Sequence, residues 1–122
     1  MKLILTMSPT ISLVVYGQLI TKWRVEQISK SLPDSGGKLF GLMSYLTDPY
    51  IVSAYAAALG GSIAWIFVVE RYDLSLAFPI YVGLTIALVA LGGVLMFNEP
   101  LSLRRLLSIL LILAGVVIGS RA

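Results

Sequence analysis

Four apolar stretches in a chain of 122 residues constrain this protein more than anything else in it. They run Leu3–Thr21, Pro49–Val69, Leu74–Phe97 and Leu101–Gly119, and hold almost no ionisable side chain. A helix rises about 1.5 Å per residue, so about 20 residues cross the roughly 30 Å of bilayer hydrocarbon. A soluble domain of this size has no room to bury four such helices. The sequence therefore predicts an all-α bundle of four transmembrane helices, forming a single multi-pass membrane domain over residues 1–122. Four helices make too thin a bundle to enclose a solute pathway comfortably, so an oligomer is expected.

Composition narrows the chemistry. Charged residues are 12% of the chain, about half the roughly 25% usual in soluble domains, which leaves little solvated loop. The absence of Cys and His removes disulfides, thiolate catalysis, the commonest zinc ligands and any imidazole base. The acids Glu26, Asp34, Asp48, Glu70, Asp73 and Glu99 fall at span ends or in loops and form no evident catalytic pair. The reading is a non-enzyme that needs no cofactor and no metal. A net charge of +3 without a dense basic patch points to membrane orientation and headgroup contact, not to nucleic acid. Counting Lys and Arg, the side with both termini has Lys2, Arg71 and Arg121. The other has Lys22, Arg24, Lys30, Lys38, Arg104 and Arg105. That balance favours termini outside the cytoplasm.

Local signals divide the chain. No A-x-A-like cleavage site follows Leu3–Val15, so the first stretch is read as a helix rather than a signal peptide. Between Val25 and Asp48, Ser31–Gly37 carries turn chemistry and Leu39–Leu46 is apolar but too short to span, as in an interfacial helix. Asp48-Pro49 has the form of an N-cap followed by a first-turn proline. In the second span Ala56, Gly60 and Ala64 recur every four residues, a spacing that permits close helix approach in lipid. The turn Glu70–Asp73 is tight enough to make spans two and three antiparallel neighbours. Glu99 is expected to favour the positive N-terminal end of the fourth span. That span contains Gly115 and Gly119 in a GxxxG pattern, a candidate dimerisation face.

Three segments carry a family resemblance: Gly17-Gln18-Leu19-x-x-Lys22, Leu74–Pro79 and Asn98-Glu99-Pro100-Leu101-Ser102. In their order and register the chain resembles the EamA-like four-helix members of the drug/metabolite transporter superfamily, a group that includes the ArnE/ArnF subunits of the aminoarabinose-phosphoundecaprenol flippase. More distantly it resembles the small multidrug resistance proteins. The resemblance implies a four-helix bundle of the small multidrug resistance, EmrE-like type working as a dimer, with an identical chain or a paralogous four-helix subunit. It also implies residence in the bacterial inner membrane. The multidrug proteins carry a membrane-embedded Glu three residues before the glycine that aligns with Gly17. Here that position is Val14, which cannot titrate, so proton-for-drug exchange through this residue is not available.

The remaining polar groups define a candidate substrate site. Lys22 offers a compact cation suited to a phosphate, although a snorkelling anchor is the plainer role for a lysine at a helix end. Gln18, four residues earlier on the same face, offers a donor and an acceptor for sugar hydroxyls, or for an interhelical hydrogen bond. Tyr16, Tyr55, Trp65, Tyr81 and Thr85 stand at plausible cavity depths, though each alone also fits packing or an interfacial belt. The expected function is a flippase or transporter subunit moving a lipid-linked sugar or similar amphiphile by alternating access. An alternative is an exporter of hydrophobic cations or metabolites, with Glu70 the only near candidate for a coupling acid. A third is an assembly subunit that does not transport.

Overall fold

The computed structural model describes residues 2–31 and 37–121. The turn chemistry expected at Ser31–Gly37 therefore falls largely outside the described residues, as does Asp34. Among the described residues there are five helices: α1 (Lys2–Ser31), α2 (Gly37–Leu46), α3 (Pro49–Arg71), α4 (Leu74–Phe97) and α5 (Leu103–Ser120). All except α2 are long and apolar enough to cross a membrane. The protein is thus a multi-pass membrane protein, built as an up-and-down bundle.

The first helix differs from the sequence expectation. It does not stop near Thr21 but continues to Ser31. Hydropathy falls there, but no Gly or Pro interrupts the chain, and Glu26, Gln27 and Lys30 are good helix formers. At about 1.5 Å per residue its 30 residues extend about 15 Å past the hydrocarbon. Helix α3 begins as expected: the Asp48 carboxylate accepts from Ile51 N–H at 3.2 Å, with Pro49 in the first turn.

Helix α1 packs mainly on α3 and also on α4, whereas among the described helices α5 packs on α4 alone. The α1–α3 seam repeats every seven residues, as in antiparallel coiled coils. Thr10 donates its hydroxyl to the Gly61 carbonyl at 3.1 Å. A Cβ on Gly17 would sit 3.1 Å from the Ala54 carbonyl oxygen, so only glycine lets the backbones approach this closely. At the next repeat Arg24 meets Asp48. The close-contact stripe of α3 is Ala54, Gly61 and Val68, all buried, and not the expected Ala56, Gly60 and Ala64. Ala56 is exposed. A four-residue spacing drifts around a helix, while the seven-residue one stays on the partner.

Consecutive helices α3 and α4 barely touch, because α1 takes the small-residue face of α3. They meet near the turn, where Trp65 lies edge-on to Phe78 at 6.2 Å and tilted against Tyr81 at 5.0 Å. The largest core cluster, Met7, Ile11, Val68, Ala77 and Ile80, closes the same end. Helix α5 buries no residue. Space beside Gly115 and Gly119 is open, so the GxxxG face meets nothing among the described residues.

Candidate functional site

Two cavities lie along the groove where α1 faces α4. On α1 the residues Thr10, Val14, Gln18 and Lys22 follow at four-residue steps. On α4 the facing row is Phe78, Tyr81, Thr85, Val89 and Gly93. The first cavity, of about 230 Å³, is lined by Thr10, Val14, Gly61, Ser62, Trp65, Phe78 and Tyr81. It is a chamber with aromatic walls. Two of its hydroxyls are already engaged with backbone, Thr10 with Gly61 and Ser62 with the Ala58 carbonyl at 3.0 Å.

The second cavity, of about 240 Å³, is lined by Gln18, Leu19, Lys22, Val89, Gly93, Phe97 and Glu99. Here the charges collect. Lys22 Nζ stands 3.2 Å from Glu26 Oε1 and 4.0 Å from Glu99 Oε1. These side chains are 49%, 43% and 40% exposed, so the pairs are loose and readily exchanged. The α4–α5 turn places Glu99. Asn98 takes the left-handed conformation at φ 52°, folding the chain back so that Glu99 N–H donates to the Gly93 carbonyl at 3.3 Å. A Cβ on Gly93 would lie 2.7 Å from Glu99 Oε2; glycine there makes room for the carboxylate.

Glu99 also lines a small cavity with Arg105 and Ser108 at the start of α5, but it makes no cap hydrogen bond there. Ser102 caps that helix, its hydroxyl accepting from Arg105 N–H at 3.2 Å. Between the two cavities Thr85 Oγ1 is buried without a hydrogen-bond partner. A buried orphan hydroxyl costs about 1–3 kcal/mol, which marks this point in the groove as unfinished.

The proposed site residues therefore do not form one chamber. Gln18 and Lys22 share the charged cavity, and Trp65 and Tyr81 share the aromatic one. Thr85 lies between. Tyr16 and Tyr55 line neither: the Tyr16 hydroxyl pairs with Ser53 Oγ at 2.9 Å on the α3 side, and Tyr55 is 56% exposed. An amphipathic ring alone does not reveal which side of a helix faces the groove. Sequence reasoning missed Glu26, Glu99 and Phe78 as lining or pairing groups. The four-residue spacing of Lys22 and Glu26 was a usable signal for the first.

Beside the charged cavity stands a tighter ion pair. Arg24 Nε and Nη2 reach the two Asp48 carboxylate oxygens at 3.0 and 2.6 Å. The guanidinium also stacks 4.9 Å from the Tyr50 ring and 5.4 Å from Trp23. The hydrogen bond from Arg24 holds the Asp48 carboxyl below its ordinary range, and the same bond pushes Arg24 up. The pair ties α1 to the start of α3; its charges are already spent on each other.

The profile of the Small Multidrug Resistance protein family matches residues 48–112, more than half of the chain. This chain belongs to that family. Among curated relatives, the probable 4-amino-4-deoxy-L-arabinose-phosphoundecaprenol flippase subunit ArnE of Pseudomonas syringae pv. syringae is 32% identical over 85% of this chain and 87% of its own. The protein of that description from Pseudomonas aeruginosa (strain UCBPP-PA14) is 30% identical over 93% and 92%, and that of Sodalis glossinidius is 38% identical over 48% and 53%. No solved structure matches significantly. The fold and these relatives make the chain a transmembrane protein of the transporter and flippase class. Val14 is a wall of the aromatic chamber and brings no titratable group to it.

Proposed function

We propose that this protein is a subunit of a flippase for a lipid-linked sugar, a polyprenyl-phosphate-sugar or similar amphiphile, in the bacterial inner membrane. The carrying observation is the division of labour along the α1–α4 groove. Charge gathers at one mouth, around Lys22 and Glu99, while the deeper chamber offers aromatic rings and Val14 without a carboxylate. A phosphate headgroup suits Lys22, which exchanges its loose carboxylate partners for the incoming anion. Gln18 suits sugar hydroxyls. Glu99, displaced from Lys22, suits an ammonium such as the amino group in the headgroup named for the relatives. Trp65 and Tyr81 provide faces for a sugar ring farther along, past the unpartnered Thr85 hydroxyl. The lipid tail remains in the bilayer through the opening between α3 and α4.

Alternating access by a pair of such subunits, identical or paralogous, fits a bundle whose last helix buries nothing. The glycine- and alanine-rich seams let helices slide with few side chains to reset. Glu70, the acid on which the cation-exporter alternative depended, is exposed and lines neither cavity.

The test is binding and leaflet exchange in proteoliposomes. Lys22→Ala is expected to weaken binding of a polyprenyl-phosphate-aminosugar by about tenfold, and Gln18→Ala by less. Glu99→Gln should weaken the aminosugar lipid but leave its neutral-sugar counterpart unchanged. Unaltered affinity in both Lys22→Ala and Gln18→Ala removes the proposed slot. Proton-coupled efflux of a hydrophobic cation that is lost in Glu70→Gln establishes the exporter instead.

A further inference from the structure

At the end of the bundle that carries both termini, α1, α4 and α5 part to leave a groove of about 1050 Å³. Its walls are Leu76, Ile80 and Leu84 on α4 and Leu113, Val116 and Val117 on α5, and its mouth holds Lys2 and Arg121. No carboxylate lines it among the described residues. The groove lies on the α5 side of α4, so it is separate from the cavities that face Gln18 and Trp65. Along α4 its lining runs from Leu76 to Leu84, eight residues on, about 12 Å. That is most of the roughly 15 Å depth of one leaflet's hydrocarbon.

We infer that this groove is a binding site for an anionic phospholipid of the leaflet at that end, with an acyl chain between α4 and α5 and its phosphate between Lys2 and Arg121. Three features select this occupant. Below a mouth that also holds Tyr72 and Ser120 the lining is apolar, so a headgroup has nothing to bond deep inside. It opens at a membrane face, where a lipid phosphate resides. Two exposed cations stand at that opening and nowhere deeper, a placement that complements one anion held at headgroup level. Because α5 packs, among the described residues, on α4 alone, such a lipid would also bridge α5 to the N-terminal end of α1. This inference does not depend on the cargo assigned to the opposite mouth.

The test uses the full chain in nanodiscs of equimolar phosphatidylglycerol and phosphatidylcholine with matched acyl chains, and counts the lipids retained on release by native mass spectrometry. Phosphatidylglycerol is expected to be retained over phosphatidylcholine on the order of tenfold. Lys2→Gln with Arg121→Gln should abolish that preference. Arg104→Gln with Arg105→Gln, which removes equal charge from the other end, should preserve it. Both pairs are exposed, and the one hydrogen bond lost, from Arg105 to the Pro100 carbonyl, lies at the other end of the bundle. Leu113→Trp, which fills the groove, should reduce retention of both lipids. Equal retention of the two lipids by the wild type overturns the site, as does a preference that survives the Lys2/Arg121 change. Release as a dimer carrying no lipid also overturns it, since a second copy then covers the groove.

Discussion

The α1–α3 seam and helix α5 are both rich in small and branched apolar residues, yet they have opposite fates. Along the seam, Thr10, Gly17 and Arg24 meet Gly61, Ala54 and Asp48 at regular steps, and backbone lies against backbone. On α5, Gly115 and Gly119 face open space, and Leu103 and Ile118 are 80% and 73% exposed. In lipid an exposed leucine carries no hydrophobic penalty, so composition alone does not drive helices together. Close fit and polar pairing do. The seam has both within the chain. Helix α5 has only the fit of Val116 and Ile112 against Gly83 of α4, and the rest of its surface is available to lipid or to another subunit.

Substitution at glycine breaks this comparison most directly. Gly17→Leu places a side chain against the Ala54 carbonyl and should cost about 1–3 kcal/mol or more in unfolding. Gly115→Leu should change monomer stability by no more than about 0.5 kcal/mol. Denaturation in mixed micelles measures both, and equal losses would mean that α5 is packed as tightly as the seam.

The Arg24–Asp48 pair sharpens the same contrast at the end of the seam. Because Asp48 titrates below its ordinary value of 3.8, its stabilisation is fully present above that pH and is lost as pH falls through the lowered pKa. Asp48→Asn should be less stable than wild type at neutral pH, with the difference closing in acid. A gap independent of pH would assign the effect to packing. Arg24, held up by the same bond, loses charge only in strong alkali and adds no dependence in the working range.

The smallest effect belongs to the groove between these regions. Thr85→Val should stabilise the protein by about 1 kcal/mol, since it removes an unpartnered buried hydroxyl, while slowing lipid exchange. A gain in stability with unchanged exchange would mark Thr85 as idle.

Much of this was legible beforehand, for identifiable reasons. Bilayer thickness turns an apolar run of the right length into a helix, which located the spans. Cap chemistry at Asp48-Pro49 set one helix start. The Gly17–Lys22 segment pointed to the charged cavity through two residues on one face. What was misread depended on partners distant in sequence. Ala56, Gly60 and Ala64 fit a generic small-residue spacing, but which side of α3 meets α1 is decided by the whole seam. The approach of Glu99 to Lys22 was not foreseen either, because it depends on the left-handed turn at Asn98.

The sequence by itself determined that the chain lives in a membrane, how many times it can cross, and that no titratable group stands at Val14. Those follow from transfer free energies and side-chain chemistry, which are properties of each residue alone. Only the tertiary structure decided that α1, and not α4, occupies the face of α3. It also decided that Lys22 shares its mouth with two carboxylates, and that the aromatic residues divide between the groove and the outer surface. These depend on helix rotation and on the close approach of backbones, quantities that no single segment contains.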